Sequence, residues 1–210
     1  MEERILITIG RQIGSGGLQV AKHVADRLGI EVYDKNLLML TAKEGGIAPE
    51  ILYSKDEKPV GMGRFARFLG IRSSVYSDSQ IYSDASTLSQ DDLFALQSKV
   101  IKDIARSGSG VFVGRCADYV LRDFDNMMSV FITADEPDRI ARVAERHGLD
   151  EAAACKYIAD GDRRRSGYYN YYTFKKWGDG ASYDLCLNTS RFGIEQTAET
   201  IVRLYRQSRG

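Results

Sequence analysis

Apolar residues along the chain follow two patterns that alternate. Short runs rich in β-branched residues are typical of buried strands, and they occur at residues 5–9, 30–33, 111–113, 128–133 and 184–188. Apolar residues at helical spacing follow these runs and predict helices at residues 17–28, 34–43, 93–104, 136–147, 151–159 and 194–205. Strands that alternate with helices indicate an α/β fold, with a parallel five-stranded sheet covered by helices on both faces.

Two segments interrupt this alternation. Residues 45–90 contain glycines and prolines followed by a Ser/Asp-rich stretch, and their low apolar content favours a flexible segment around one packed helix near Phe65 and Phe68. Residues 161–180 are rich in Gly, Arg and Tyr and show no apolar period, so we expect an irregular segment there.

Composition narrows the class of protein. The 210 residues carry 29 Lys+Arg and 29 Asp+Glu, and this zero net charge excludes a globally basic polyanion binder. The three cysteines, Cys116, Cys155 and Cys186, form no CxxC pair and are typical of reduced intracellular thiols. No apolar run is long enough to span a bilayer, and the N-terminus does not resemble a signal peptide. We therefore expect a soluble cytoplasmic protein.

In parallel α/β sheets, ligands bind beyond the carboxyl ends of the strands. After the first strand, residues 10–17 contain four glycines among eight residues and lead into a helix. Such a loop directs backbone N–H groups and a helix N-terminus at a phosphate, although a tight turn that only needs small residues is the alternative. The loop is not a standard GxxxxGK[ST], because Gly17 stands at the Lys position and Leu18 at the hydroxyl position.

Two further strand ends carry charged residues. Asp34 follows the second strand, where it either caps a helix or orients a substrate hydroxyl or a magnesium-bound water. Arg115 follows the third strand, where it either grips a phosphate or forms a surface ion pair.

A basic segment lies between residues 162 and 176. It contains five cationic side chains, one carboxylate and four tyrosines. Arginines on such a segment suit a lid that closes over a polyphosphate, whereas basic and aromatic residues together also suit nucleic-acid stacking. A solvated charged loop is the third interpretation.

Six segments together resemble the cytidylate kinase-like family, relatives of the nucleoside monophosphate kinases among P-loop kinases. They are ITIGRQIGSGG, EVYDKNLL, VFVGRCADYVL, VFITADEPDRIARV, DRRRSGYYNYYTFKKWG and YDLCLNTSRFGIEQT, which extend over nearly the whole chain. The resemblance implies one P-loop kinase-like domain over residues 1–210, with residues 45–92 as a nucleoside monophosphate-binding insertion and 161–180 as the lid. It implies transfer of the γ-phosphoryl group of ATP to a nucleoside monophosphate such as CMP or dCMP, with Mg²⁺.

The resemblance also suggests residue roles. It matches Gly14, Ser15 and Gly16 to the phosphate loop, and from the glycine pattern we expect Gly10 and Gly17 to bind phosphate with them. It implies acceptor binding by Asp34 and Arg115 and matches Asp162 and Arg165 to an Asp-x-x-Arg pair at the lid entrance, where we expect Asp162 to bind the acceptor as well. The catalytic candidates are Arg11, Arg163 and Arg165, and no residue is assigned to a metal. Asn188, Thr189 and Ser190 resemble the motif that lies beside the adenine.

Two departures from the family pattern bear on the chemistry. Cytidylate kinases have Lys where this chain has Gly17, and Asp where it has Cys116. Loss of the Lys removes a positive charge from the β- and γ-phosphates, for which Arg11, Arg163 or Lys175 could substitute. Alternative functions are a kinase for another small molecule, a nucleotide-binding protein without efficient turnover, and an RNA-binding protein.

Overall fold

The computed structural model describes residues 4–34 and 90–208. In this part of the chain there are five strands, β1 (Leu6–Arg11), β2 (Glu31–Tyr33), β3 (Gly110–Val113), β4 (Met127–Thr133) and β5 (Leu185–Asn188). All neighbouring strands pair in parallel, in the order β2-β3-β1-β4-β5. The predicted parallel five-stranded sheet is therefore confirmed. Its order brings the carboxyl ends of β3, β1 and β4 next to one another.

The described helices agree with the predicted periods in most places. They are α1 (Gly17–Leu28), α2 (Gln90–Ser107), α3 (Ala117–Val120), α4 (Glu136–His147), α5 (Glu151–Thr173), α6 (Thr189–Phe192) and α7 (Ile194–Gln207). The predicted helix at 34–43 and the insertion at 45–92 lie outside the described residues, apart from Asp34 and residues 90–92. Within residues 4–34 and 90–208, we find no helix with the length and apolar character needed to cross a membrane.

Both faces of the sheet are buried, which explains the continuous apolar runs of its strands. On one face, α1 and α7 pack over the central strands, and the fully buried residues there include Ile7, Val24 and Ile201. On the other face, α3 packs against β1 and β4, and Leu121, which follows α3, is fully buried. Helix α1 ends at Gly29, whose φ of 65° is favourable for glycine.

The chain divides into two compact units. One comprises Met1–Leu37 together with Ile101–Gly210 and contains the whole sheet. The other comprises Leu38–Val100, of which only residues 90–100, the start of α2, are described.

The expectation of an irregular segment at residues 161–180 is wrong for its first half. Helix α5 continues without a break from Glu151 to Thr173, after Asp150 caps its N-terminus by accepting a hydrogen bond from the Ala153 amide. Its inward face is apolar only near its beginning and then becomes polar, with Asp162, Arg165 and Tyr169. Hydrophobic periodicity missed this part because the helix packs there against a polar site and not against the core.

Candidate active site

The loop between β1 and α1 has a backbone that requires glycine. Gly14 and Gly16 have φ angles of 77° and 76°, in the left-handed region. A Cβ on Gly14 would lie 2.7 Å from the carbonyl oxygen of Arg139, so this position is also closed by contact with α4. Helix α1 begins at Gly17, with no side-chain cap from Gly16. Its first amides therefore point out of the helix end, where an anion can accept their hydrogen bonds.

Side chains around the loop bind its carbonyl oxygens. The fully buried Ser15 donates its hydroxyl to the carbonyl of Gln12 at 2.9 Å, and Thr189 donates to the carbonyl of Ser15 at 2.7 Å. The Ser15 side chain is therefore part of the loop's internal structure, and the Ser15 amide donates to the same Gln12 carbonyl at 3.4 Å.

Two arginines of α4 continue this pattern. Arg139 Nε donates to the carbonyl of Ile13 at 2.7 Å, and Arg142 Nη1 donates to the carbonyl of Gly14 at 3.1 Å. The carbonyl oxygens of residues 12–15 are thus all engaged by side chains. These side chains satisfy the loop's carbonyl oxygens, and among the four only the Gln12 carbonyl also accepts a loop amide, that of Ser15.

The remaining loop glycines have steric reasons for lacking a side chain. Gly10 lies within β1, and a Cβ there would meet the Phe131 ring at 2.8 Å. A Cβ on Gly17 would lie 2.5 Å from Cβ of Arg11. The missing P-loop lysine is therefore linked to Arg11, whose side chain occupies the space in which a residue at position 17 would begin.

Arg11 is directed toward β3 and lies among other charged groups. A Cβ on Gly114 would collide with the Arg11 guanidinium, which places that group against the turn after β3. Burial, followed by the charges of Arg165 and Arg115, lowers the pKa of Arg11 to about 9, while Asp34 opposes this shift. Arg11 thus remains protonated at neutral pH, and Arg165 Nη1 donates to its carbonyl oxygen at 2.9 Å.

Four of the predicted site residues are therefore brought together. Three arginines and one aspartate reach the same region from β1, the end of β2, the turn after β3 and α5: Arg11, Asp34, Arg115 and Arg165. Like charges repel at such proximity, so a cluster with three cations and one carboxylate is suited to an anionic ligand.

The turn that carries Arg115 is strained. Gly114, Arg115 and Cys116 have consecutive φ angles of 78°, 56° and 55°. For residues other than glycine, this conformation costs roughly 1–3 kcal/mol each and is typical of functional sites. Cys116 is buried at the start of α3, and burial raises the pKa of its thiol to about 12. The neutral thiol cannot provide the negative charge of the Asp that cytidylate kinases have at this position.

Two predicted residues lie elsewhere. Asp162 accepts the Ile13 amide with Oδ1 at 2.8 Å and forms an ion pair with Arg139 through Oδ2. The side chain of Arg163 is 80% exposed and lies 3.6 Å from Asp160, its neighbour one turn earlier in α5. Arg163 thus lies on the exposed side of α5, and Asp162 contacts the backbone of the phosphate loop and Arg139.

A buried polar pair connects α5 to α3. The hydroxyl of Tyr169 donates to Asp118 Oδ2 at 2.7 Å, and both residues are buried. Burial raises the pKa of Asp118, whereas the hydrogen bond from Tyr169 and the charge of Lys175 oppose the rise. Burial and the charge of Asp118 also raise the pKa of Tyr169. The exposed Lys175 therefore acts on this pair through its charge.

The sequence did not identify Arg139 and Arg142 as site residues. Arginines on an amphipathic helix usually face solvent, so the sequence pattern predicts an exposed position for both residues. One signal was available: the two residues are three apart, on a helix that directly follows β4, the neighbour of β1. Arg139 is only 8% exposed.

The described residues contain no group of three His, Cys, Asp or Glu side chains that could hold a metal. Leu18 also supplies no hydroxyl to a magnesium ion. Any Mg²⁺ bound beside these described residues would need most of its oxygen ligands from a bound phosphate and water.

Comparisons with known proteins agree with this geometry. The model of the cytidylate kinase-like family matches residues 6–191. The cytidylate kinase of Pyrococcus horikoshii is 24% identical over 92% of this chain and 84% of its own length, and that of Archaeoglobus fulgidus is 25% identical over 94% and 92%. A uronate isomerase of Corynebacterium glutamicum is 28% identical over 73% of this chain, but the match spans only 30% of that protein.

Solved structures show the same fold. A protein of Eubacterium ventriosum, described as uncharacterized, has a TM-score of 0.71 and 29% identity, covering 97% of this chain and 99% of its own. The shikimate kinase of Bacteroides thetaiotaomicron has a TM-score of 0.52 and 12% identity, covering 96% and 98%. The second likeness concerns the fold alone, which is that of P-loop kinases. Since the family model matches nearly the entire chain, the protein belongs to the cytidylate kinase-like family.

Proposed function

We propose that the protein transfers the γ-phosphoryl group of ATP to a nucleoside monophosphate. The observation that carries this proposal is the position of two anion-binding elements at adjacent strand ends. One is the loop at the N-terminus of α1, and the other is the cluster of Arg11, Arg115 and Arg165. Phosphoryl transfer needs a donor polyphosphate and an acceptor phosphate held in line, with positive charge around the transferred group.

The loop would bind the donor. The amides at the beginning of α1 donate to no capping side chain, and the carbonyl oxygens of residues 12–15 accept hydrogen bonds from side chains. Phosphate oxygens of ATP can therefore take the hydrogen bonds of the helix end. Mg²⁺ would enter with the nucleotide and neutralise part of its charge.

Arg11 would replace the P-loop lysine. Its Cβ lies where a side chain at Gly17 would begin, its guanidinium lies against Gly114, and the charges of Arg165 and Arg115 act on it. A cation there stabilises the charge that spreads over the transferred phosphoryl group. Arg165 would support it from α5, and Arg115 would hold the acceptor phosphate opposite the donor.

The base of the acceptor is a separate question. Cys116 is buried and uncharged, so it cannot select cytosine as a carboxylate could. Selectivity for one base must then arise from other residues. The proposal accordingly names a nucleoside monophosphate, with CMP and dCMP as the acceptors that the cytidylate kinase relatives suggest.

The proposal is tested by a coupled assay of ADP formation with CMP, dCMP, UMP, AMP and GMP. We expect turnover on the order of one per second or faster with at least one of them. ATP binding without turnover on any acceptor would contradict it and favour a nucleotide-binding protein. Turnover only with a sugar or another small hydroxyl compound would favour a different kinase. RNA binding with a steep salt dependence and no affinity for ATP would exclude both.

A matched pair of variants tests the role of α5. Arg165 donates to the Arg11 carbonyl, whereas Arg163 is exposed and pairs with Asp160 on the same helix. Arg165→Ala should lower kcat about 100-fold or more, because it removes a positive charge that would stabilise the transferred phosphoryl group. Arg163→Ala should change kcat less than about threefold. Equal losses in the two variants would contradict this assignment.

A further inference from the structure

The two ends of one carboxylate bridge the phosphate loop to a neighbouring helix. Asp162 on α5 accepts the amide of Ile13 with Oδ1 and pairs with Arg139 through Oδ2. Arg139 in turn donates Nε to the carbonyl of the same Ile13. Both polar groups of the Ile13 backbone are therefore held by one ion pair. The side chains of that pair are only 9% and 18% exposed.

From this geometry we propose that Asp162 and Arg139 are positioning residues that hold the phosphate loop in its anion-binding conformation. The proposal rests on the proposed function, because it assigns their effect to ATP binding. It also changes the role of Asp162, which the family resemblance suggested as an acceptor-binding residue. Both of its oxygens already have partners on the side of the loop.

Packing around Ile13 and Gly14 supports the same role independently. A Cβ on Gly161 of α5 would lie 2.8 Å from the Ile13 side chain, and a Cβ on Gly14 would lie 2.7 Å from the Arg139 carbonyl. Ile13 also packs against the small apolar cluster between α4 and α5, which contains Val143 and Ile158. The loop is thus enclosed between two helices, and the ion pair lies where they meet it.

The bridge has a clear consequence for the loop. The amide of Ile13 is the one loop amide that a carboxylate takes, while its carbonyl faces a guanidinium. This fixes both peptide planes at Ile13, immediately before the glycines at positions 14 and 16. A loop ordered in advance loses less conformational entropy when it binds phosphates, so the pair should raise the affinity for ATP.

Three variants separate the parts of the bridge. Asp162→Asn keeps an oxygen for the Ile13 amide but removes the ion pair, and Asp162→Ala removes both contacts. Asp160→Ala is the matched control, since Asp160 lies one half-turn earlier in α5 and its ion pair is with Arg163. Each variant is compared with the wild type by hydrogen exchange of the Ile13 amide, by the Kd for a non-hydrolysable ATP analogue, and by KM for the acceptor.

We expect Asp162→Ala to speed exchange at Ile13 and to raise the Kd for the analogue about tenfold or more, with the acceptor KM changed less than about twofold. Asp162→Asn should give an intermediate Kd, because it retains one contact. Asp160→Ala should leave all three quantities near wild-type values.

An acceptor KM that rises in Asp162→Ala while Ile13 exchange and the analogue Kd stay unchanged would overturn the proposal and restore the acceptor-binding role. Absence of turnover with every acceptor would contradict the proposed function only, since exchange and analogue binding do not require turnover. If the wild type bound no nucleotide, exchange at Ile13 would decide the positioning role alone: faster exchange in Asp162→Ala supports it, and unchanged exchange overturns it.

Discussion

Tyr169 and Tyr183 provide a matched test of the buried pair between α5 and α3. Their rings stack with centroids 5.8 Å apart, and both residues are buried. The hydroxyl of Tyr169 donates to Asp118, whereas that of Tyr183 has no hydrogen bond of acceptable geometry among the described residues. Tyr→Phe removes the same atom at both positions, so the difference between the variants measures the contact with Asp118.

The expected magnitude follows from the burial of Asp118. Tyr169→Phe removes the side-chain hydrogen bond to a buried carboxylate, which costs about 2 kcal/mol of unfolding free energy. In a chain of this size that corresponds to a fall in Tm of about 4–8 °C. Tyr183→Phe removes a buried hydroxyl that makes no hydrogen bond to a carboxylate, so its unfolding free energy should stay within about 0.5 kcal/mol of wild type or rise.

The pH dependence has a definite sign. Burial raises the pKa of Asp118, so its contribution to stability is present below the unfolded pKa of about 4 and is lost as pH rises through the folded pKa. Loss of the Tyr169 hydrogen bond raises the folded pKa further. The deficit of Tyr169→Phe should therefore be larger at pH 8 than at pH 4. Urea unfolding at both pH values measures it, and equal deficits in Tyr169→Phe and Tyr183→Phe would refute the argument.

Two other substitutions test contacts made by glycines. Gly17→Lys restores the residue of a standard P-loop, yet its Cβ would lie 2.5 Å from Cβ of Arg11, so we expect a lower Tm and weaker ATP binding. The double variant Arg11→Gly/Gly17→Lys should recover part of the Tm and part of the ATP affinity. A fully active single variant would show that Arg11 does not occupy that space. Gly161→Ala replaces glycine by a residue of higher helix propensity but would bring a Cβ to 2.8 Å from the Ile13 side chain. Thermal unfolding should therefore show that the unfolding free energy falls by about 1–3 kcal/mol. A gain in stability would mean that Ile13 can move away.

The sequence predicted the elements that are buried on apolar faces. Strands β1, β3 and β4 appear as continuous apolar runs because both faces of the sheet are covered, and α1 shows a clear stripe because it packs on that sheet. Helix α5 was predicted only to residue 159. Beyond that point its inward residues, such as Asp162 and Tyr169, contact polar groups, and hydrophobic periodicity carries no information about such contacts.

The site was predictable in part for a similar reason. Arg11, Asp34 and Arg115 follow strand ends, so the topology of a parallel sheet already placed them together. Arg139 and Arg142 belong to a helix surface that is ordinarily solvated, and only the fold shows that this surface meets the phosphate loop. Arg163 and Arg165 are equivalent in composition, and only the orientation of α5 separates the exposed one from the inward one.

Gly17 and Arg11 are best understood as one feature. Taken alone, Gly17 indicates a P-loop with weakened phosphate binding, because the lysine that normally contacts the β- and γ-phosphates is absent. The contact between a Cβ at position 17 and the Arg11 side chain shows that the two positions cannot both carry a long residue in this backbone. The positive charge then comes from the end of β1 and lies beside Arg115 and Arg165. In the proposed kinase, Arg11 would therefore supply the charge that stabilises the transferred phosphoryl group.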